Sequence, residues 1–532
     1  MDLKLNALPA APERRGPVVL CILDGIGLGA GDEGDAVAQA RTPNLDRLMA
    51  EHPWRPVAAH GTAVGLPSDA DMGNSEVGHN ALGAGRVFDQ GAKLVDAGLA
   101  SGEVFASETW RWLTQSGTLH LLGLLSDGNV HSHIEHLLAL VDQADEQGIE
   151  RLRVHVLTDG RDVEERSALG YLAALEAALK STGRDYRVAS GGGRMHITMD
   201  RYEADWPMVQ RGWDCHVKGE GRPFTSAAEA VQSLYAEDAK VTDQWLPAFV
   251  IVEDGQPVGR IQDGDGVLFF NFRGDRAIEI SRAFEEGAGF PGFDRGPVPK
   301  VRYAGMMQYD GDLQLPDRYL VAPPAIDRTV GEHLAANGLR SFAISETQKF
   351  GHVTFFFNGN RSGLLDEELE EYAEIPSDNL PFDQAPAMKA SEITDRAVAA
   401  IASGQWDHVR LNLANGDMVG HTGNLQATIA AVELVDRCVG ELVQATVQAG
   451  GVLVVTADHG NADQMIKKGK PLTSHTLNPV PFVLVDPSGG WELSEVSAPG
   501  LANVGTSVLA LCGLQPPADF EPALVRPRSS EA

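Results

Sequence analysis

The sequence predicts an α/β protein of more than one domain. Two observations carry that expectation. Short apolar runs, often β-branched, stop at Gly/Asp-rich turns, as buried strands of a mainly parallel sheet do. Between them lie longer stretches with helical spacing, and strands alternating with helices give a layered α/β arrangement. The length of 532 residues exceeds one ordinary domain; about 150 residues per domain allows two to four.

Taken in order, Val18–Leu23 is the first expected strand and runs into Asp24-Gly25. Leu119–Leu125 ends at Ser126-Asp127-Gly128, and residues 154–157 precede Thr158-Asp159-Gly160-Arg161-Asp162. Residues 267–272 precede Arg273, and Val452–Thr456 precedes Asp458-His459. Helices are expected over 134–147 and 167–180. The longest is Leu425–Ala449, where Ile429, Val432, Val435, Val439 and Leu442 recur at helical spacing and Gly450-Gly451 forms the stop. The Gly-rich stretch 83–91 and the Gly/Asp/Pro-rich stretch 309–324 are candidate hinges. The first fifteen residues and the Pro-rich end from Gln515 onward read as loose tails.

Acidic residues number 74 against 43 basic ones, a formal charge of −31. Such a surface repels nucleic-acid phosphates and anionic lipid, so neither is an expected partner. No apolar run approaches the ~18 residues of a membrane span. Cys21, Cys215, Cys438 and Cys512 lie far apart with no paired spacing, which points to a reducing, cytoplasmic setting rather than a disulfide framework.

Five segments carry most of the chemistry: Leu23-Asp24-Gly25, Met72-Gly73-Asn74-Ser75-Glu76-Val77-Gly78-His79, Asn415-Gly416-Asp417-Met418-Val419-Gly420-His421, Thr456-Ala457-Asp458-His459-Gly460-Asn461 and Ser474-His475-Thr476. Asp417 and His421 are four apart, so a helical turn points both at one ion. Asp458 and His459 are adjacent and diverge from a strand end, so they could serve two sites. Carboxylates mixed with imidazoles suit Mn2+ or Zn2+, whereas an all-oxygen set would suit Mg2+ or Ca2+. Two ions ~3.5–4 Å apart would clamp a phosphoryl group and activate a hydroxyl. Ser75 supplies one in a turn that could open a helix, where phosphate is favoured. Gly25, Gly27, Gly29 and Gly31 do not make a dinucleotide loop, because Asp24 sits where pyrophosphate would be repelled.

A second constellation lies mainly between Gly91 and Asp310. It comprises the segment from Leu125 to His133, Asp159-Gly160-Arg161-Asp162, the Gly-rich run reaching Arg194 and Arg201, and Asn271-Phe272-Arg273-Gly274-Asp275-Arg276. Guanidinium forks suit bidentate binding of phosphate and carboxylate. A substrate carrying both groups would explain arginines gathered in an acidic protein. Singly, each arginine reads as an ordinary surface ion pair. Later in the chain comes Ser345-Glu346-Thr347-Gln348-Lys349-Phe350-Gly351-His352.

Together these segments resemble the alkaline-phosphatase superfamily, and more narrowly its cofactor-independent phosphoglycerate mutases, over nearly the whole chain. The resemblance implies an alkaline-phosphatase-like, mainly parallel sheet domain built from residues 1–88 and 312–532. A second α/β substrate domain, 89–311, is inserted into it. It implies two divalent ions, Mn2+ first, with Zn2+, Co2+ or Mg2+ as the other fits. Asp417, His421 and His475 match one metal site, and Asp24, Ser75, Asp458 and His459 the other. Ser75 matches the phosphorylated nucleophile and Lys349 a lysine steadying the transferring phosphate. Asp162 matches a general base for the glycerate hydroxyls. His131, Arg161, Arg194, Arg201, Arg273 and Arg276 match substrate-binding positions. His131, His133 and His136 could be read as a third metal site; the resemblance makes only His131 functional, and the other two are expected to be structural. Asn129, Gly274 and Gly416 depart from the family's usual residues without removing a ligand.

The implied reaction interconverts 3-phosphoglycerate and 2-phosphoglycerate through a phosphoserine, by a monomer and without bisphosphoglycerate. The competing expectation is a metal-dependent phosphatase or sulfatase on the same scaffold, which would not need the arginines. A phosphopentomutase, usually with a Thr nucleophile, and a non-catalytic metal binder are further alternatives.

Overall fold

Val18–Leu23 is buried along its whole length because it has a parallel partner on each side, His408–Leu413 and Val452–Thr456. A strand covered on both faces gains nothing from alternating polar residues, which is why these runs read as continuously apolar. The computed structural model describes residues 3–66, 69–200, 205–287, 289–309, 314–322, 324, 326–467 and 469–528. The chain divides into two compact units, Met1–Gln90 with Ala325–Ala532, and Gly91–Pro324.

The first unit is organised on a seven-stranded sheet in the order Glu370–Ile375, Ser341–Glu346, His408–Leu413, Val18–Leu23, Val452–Thr456, Val480–Val485 and Trp54–Val57. The first five strands are mutually parallel and the last two joins are antiparallel. The carboxyl ends of the parallel strands therefore share one edge, where open α/β sheets bind ligands. Leu425–Ala449 forms as one helix, capped by the Asn424 side chain and ended by Gly450 at φ 68°. Its apolar face packs on Ala390–Ser403 and on Pro43–Glu51. Asp436, fully buried on the same helix, accepts from the backbone N–H of Asn44 and Leu45. It thereby satisfies the free donors at the start of Pro43–Glu51.

The second unit carries a larger sheet in the order Tyr319–Val321, Arg302–Met307, Gly266–Phe269, Leu119–Leu125, Arg151–Thr158, Asp185–Gly193, Phe249–Glu253 and Arg222–Phe224. The first six strands run parallel, and a bulge separates Val154 from His155. Leu119–Leu125 at its centre is wholly buried. The strand expected over 267–272 forms as Gly266–Phe269, since Asn271 turns its amide oxygen to the Leu124 N–H and leaves the ladder.

Both expected tails are corrected through Arg528. Leu8 N–H donates to Gly513 O, Gln515 N–H to Asn6 O, and Val525–Pro527 pairs with Trp491–Leu493. Phe520, Leu524 and Val525 are buried. A few apolar anchors among prolines suffice to dock such a segment. All four cysteines are free. Among the described residues no helix is long and apolar enough to cross a membrane.

Candidate active site

At the shared edge of the first sheet, four of the five parallel strands hand their next residues to one cluster. Val18–Leu23 leads to Asp24, His408–Leu413 to the short helix Asn415–Gly420 with Asp417, Val452–Thr456 to Asp458 and His459, and Ser341–Glu346 to the short helix Thr347–Gly351 with Lys349. Ser75 opens the helix Ser75–Ala84, with the Asn74 side chain accepting from Val77 N–H.

Two ligand groups result. Asp417, His421 and His475 bring one ligand atom each within 4.8 Å of one another, as do Asp24, Asp458 and His459. In the first, Asp417 Oδ1 lies 3.0 Å from His421 Nε2 and 3.3 Å from His475 Nε2, and the two Nε2 atoms are 3.1 Å apart. In the second, His459 Nε2 lies 3.6 Å from Asp24 Oδ1 and 3.8 Å from Asp458 Oδ2. Asp458 and His459 belong to one group here, not to two. Ser75 Oγ sits 2.9 Å from His459 Nε2 and 3.4 Å from Asp24 Oδ1. Lys349, only 1% exposed, donates to Ser75 Oγ, to Asp24 Oδ1 at 2.9 Å and to Asp417 Oδ2 at 2.8 Å.

The charges are frustrated. Burial pushes Asp24 up to about 7, with the Asp458 and Asp417 carboxylates adding to it against the opposing Lys349. Burial opposes ionisation of Asp417 as well, but His421 and Lys349 outweigh it and hold that carboxyl well below its usual range. Asp458 is likewise held low, against burial, by His459 and His79.

In the second unit His131 is the centre of a cationic cluster. Burial first, then the charges of Arg194, Arg273, Arg276 and Arg161, push its pKa well down. His131 Nδ1 lies 3.5 Å from Asp275 Oδ1, which is 3.2 Å from Arg273 Nε. Arg194, 1% exposed, donates to Asp159 Oδ1 at 2.7 Å and to Asp162 Oδ2. Asp159 Oδ1 also accepts from the N–H groups of Arg161 and Asp162, both at 3.1 Å, so one carboxylate shapes the whole turn. Arg276 Nη1 donates to Met199 O at 2.7 Å. His133 caps the helix Ile134–Glu146, and His136 pairs with Asp96 at 2.7 Å, both structural positions. Arg201 lies outside the described residues. Asn129 adopts φ 55°, the left-handed region that Asn tolerates best after Gly.

A sequence profile of the metalloenzyme superfamily matches residues 16–516. A probable 2,3-bisphosphoglycerate-independent phosphoglycerate mutase of Leptospira interrogans is 54% identical, over 96% of this chain and 98% of its own. The 2,3-bisphosphoglycerate-independent phosphoglycerate mutase of Trypanosoma brucei brucei is 53% identical, over 99% of this chain and 100% of its own. The chain belongs to the 2,3-bisphosphoglycerate-independent phosphoglycerate mutase family. A crystal structure of Leishmania mexicana phosphoglycerate mutase at low cobalt concentration superposes with a TM-score of 0.93, at 49% identity, over 99% of this chain and 100% of that one. The enzyme is thus a phosphoglycerate mutase of the metalloenzyme superfamily.

The donor set of this mutase fits a bound cation. His421 Nδ1 bonds to Thr473 O and His475 Nδ1 to Gly73 O. With Nδ1–H donating, an imidazole that releases its Nε2 proton turns that lone pair inward. Two such lone pairs and a carboxylate oxygen meeting at ~3 Å repel unless a cation lies among them. In the second group Asp458 Oδ2 is buried and makes no hydrogen bond among the described residues, with the His79 ring nitrogen at 3.3 Å beside it. Sequence reasoning left three contributors unassigned. Asn412 Nδ2 donates to Asp24 Oδ2 at 2.7 Å, Asn461 Nδ2 to Asp417 Oδ1 at 3.1 Å, and His79 Nδ1 lies 3.3 Å from Asp458 Oδ2. An asparagine inside an apolar strand was the available signal for Asn412; His79 and Asn461 stood inside segments already singled out.

Proposed function

We propose that this mutase interconverts 3-phosphoglycerate and 2-phosphoglycerate through a phosphoserine at Ser75, with two divalent ions, Mn2+ by preference over Zn2+, Co2+ or Mg2+. One ion belongs to Asp417, His421 and His475, the other to Asp24, Ser75, Asp458 and His459. The observation that carries the reading is the placement of Ser75 Oγ against His459 Nε2, Asp24 Oδ1 and the Lys349 ammonium, at the first position of a ten-residue helix. Backbone N–H groups and the helix dipole at that position favour a phosphoryl group. Bound divalent ions supply Lewis acidity, lowering the pKa of the serine hydroxyl and neutralising phosphoryl charge.

Ser75 Oγ attacks phosphorus, and the bond from phosphorus to O3 of glycerate breaks. Lys349 holds the transferring group, so the work is positioning and charge neutralisation. Asp162, a carboxylate in its pairing with Arg194, takes the proton of O2 and passes it to the departing O3; O2 then attacks the phosphoserine, and Ser75 leaves as the same alkoxide that opened the cycle. His131, Arg161, Arg194, Arg201, Arg273 and Arg276 bind the anionic groups of the substrate. Under this reading the metal-binding domain expected over 1–88 and 312–532 corresponds to the unit Met1–Gln90 with Ala325–Ala532, and the substrate domain expected over 89–311 to the unit Gly91–Pro324. The enzyme works as a cytoplasmic monomer. The test is 31P NMR of 3-phosphoglycerate incubated with enzyme and Mn2+, without bisphosphoglycerate. Appearance of 2-phosphoglycerate is the expected result; inorganic phosphate alone would make the protein a hydrolase.

A further inference from the structure

The second unit contains a line of buried polar side chains that the mutase reading does not use. It begins at Asp265, whose Oδ2 lies 3.2 Å from His120 Nε2. His120 Nδ1 is 2.9 Å from His155 Nε2, and His155 Nδ1 is 2.7 Å from Ser190 Oγ. Ser190 Oγ is 2.8 Å from His216 Nδ1, and His216 Nε2 is 3.1 Å from Thr198 Oγ1. The line thus crosses three neighbouring parallel strands, Leu119–Leu125, Arg151–Thr158 and Asp185–Gly193. From His120 to Thr198 every member is at most 2% exposed.

Burial lowers the pKa of all three imidazoles, that of His216 to about 3, so near neutral pH they are uncharged. A neutral imidazole has one N–H and one lone pair, and a carboxylate can only accept. The acceptor-only end therefore fixes the direction of the whole line. His120 donates from Nε2 to Asp265, His155 from Nε2 to His120, Ser190 to His155, His216 from Nδ1 to Ser190, and Thr198 from Oγ1 to His216.

The far end is where the backbone is unusual. Thr198 has φ 70°, a left-handed conformation that is an outlier for a β-branched residue. Glycine would adopt it without strain. The threonine hydroxyl is what glycine lacks, and here it satisfies His216. The surroundings make room for it: a Cβ added at Gly212 would lie 2.1 Å from Thr198 Oγ1. His216 itself is presented by a π-helical turn, Asp214–Lys218, a widened turn often found at functional sites. The residue after Thr198 is Met199, whose carbonyl accepts from Arg276 Nη1 at 2.7 Å.

We propose that the line from Asp265 through His120, His155, Ser190 and His216 to Thr198 is a positioning device for substrate binding. It locks the strained Thr198 turn, fixes the Met199 carbonyl, and so aims the Arg276 guanidinium at the substrate's anionic groups. His216 and Thr198 are positioning residues, and the proposal rests on the assignment of Arg276 to substrate binding.

The test combines kinetics of the metal-loaded, full-length Thr198→Gly and Thr198→Ser variants with 15N NMR of the histidines in the unsubstituted enzyme. Loss of the hydroxyl in Thr198→Gly should raise KM for 3-phosphoglycerate about tenfold, ~1.4 kcal/mol, with kcat changed less than ~2-fold. The Mn2+ concentration for half-activation should not move. Thr198→Ser, which keeps the donor, should retain the original KM. The NMR spectra should show His120 and His155 protonated at Nε2 and His216 at Nδ1. An active Thr198→Gly enzyme with unchanged KM, or His216 protonated at Nε2, overturns the proposal and leaves the mutase reading standing. An unsubstituted enzyme with the expected tautomers but no mutase activity removes that reading, and the proposal with it.

Discussion

The buried histidines of the second unit make a quantitative prediction about acid. Burial disfavours the charged form of His216 and pushes its pKa down to about 3 in the folded chain, from the 6.5 of a free imidazole. Its folded pKa is depressed, so below pH 6.5 the unfolded chain takes up a proton that the folded chain refuses. Stability is then lost progressively as pH falls from 6.5 towards 3. At pH 5 the loss is 1.5 pH units at 1.36 kcal/mol each, or ~2 kcal/mol from this residue alone. His155, also pushed well down by burial and by His120 and His216 beside it, acts in the same direction. For a domain of this size ~2 kcal/mol corresponds to ~4–8 °C in Tm. The assay is calorimetric unfolding of the full chain and of His216→Gln at pH 7.5, 6 and 5. Acid effects away from this line are common to both proteins, so the difference reads His216 together with its effect on His155. The variant should begin less stable at pH 7.5, and the gap should narrow by ~4–8 °C at pH 5. Parallel Tm curves across this range would refute the reasoning.

Other consequences can be checked directly. Chelation should abolish turnover and Mn2+ should restore it, and adding Mn2+ to the stripped protein should raise Tm in the absence of substrate, because the ion binds only the folded chain. Arg194→Met should leave the carboxylates of Asp159 and Asp162 buried without their shared guanidinium. Breaking such a pair costs ~3–5 kcal/mol, read by denaturant unfolding of the second unit.

Much of the candidate metal centre was legible because the sheet itself organises it. An acid directly after an apolar run, as at Asp24 and Asp458, is visible in a bare sequence, and parallel pairing then brings all such ends to one edge. Lys349 and His475 were legible only through resemblance, since neither follows a distinctive local pattern. The supports were harder to see. Asn412 lies in a strand whose burial reads as apolar, and its role depends on Asp24, 388 residues away in sequence. The chain ends were misread for a related reason. Proline-rich composition hides the few residues, Phe520, Leu524 and Val525, that are buried. The histidine line in the second unit leaves no motif at all. Its members occupy single positions in separate elements, and only strand register makes them neighbours.

The most direct test of the central claim is mass spectrometry of the peptide containing Ser75, from enzyme quenched in acid during turnover of 3-phosphoglycerate. The account predicts a phosphate on Ser75 that appears within the first turnover and is lost as substrate is exhausted, together with a folded but inactive Ser75→Ala variant. A Ser75→Ala enzyme that still produces 2-phosphoglycerate would contradict it.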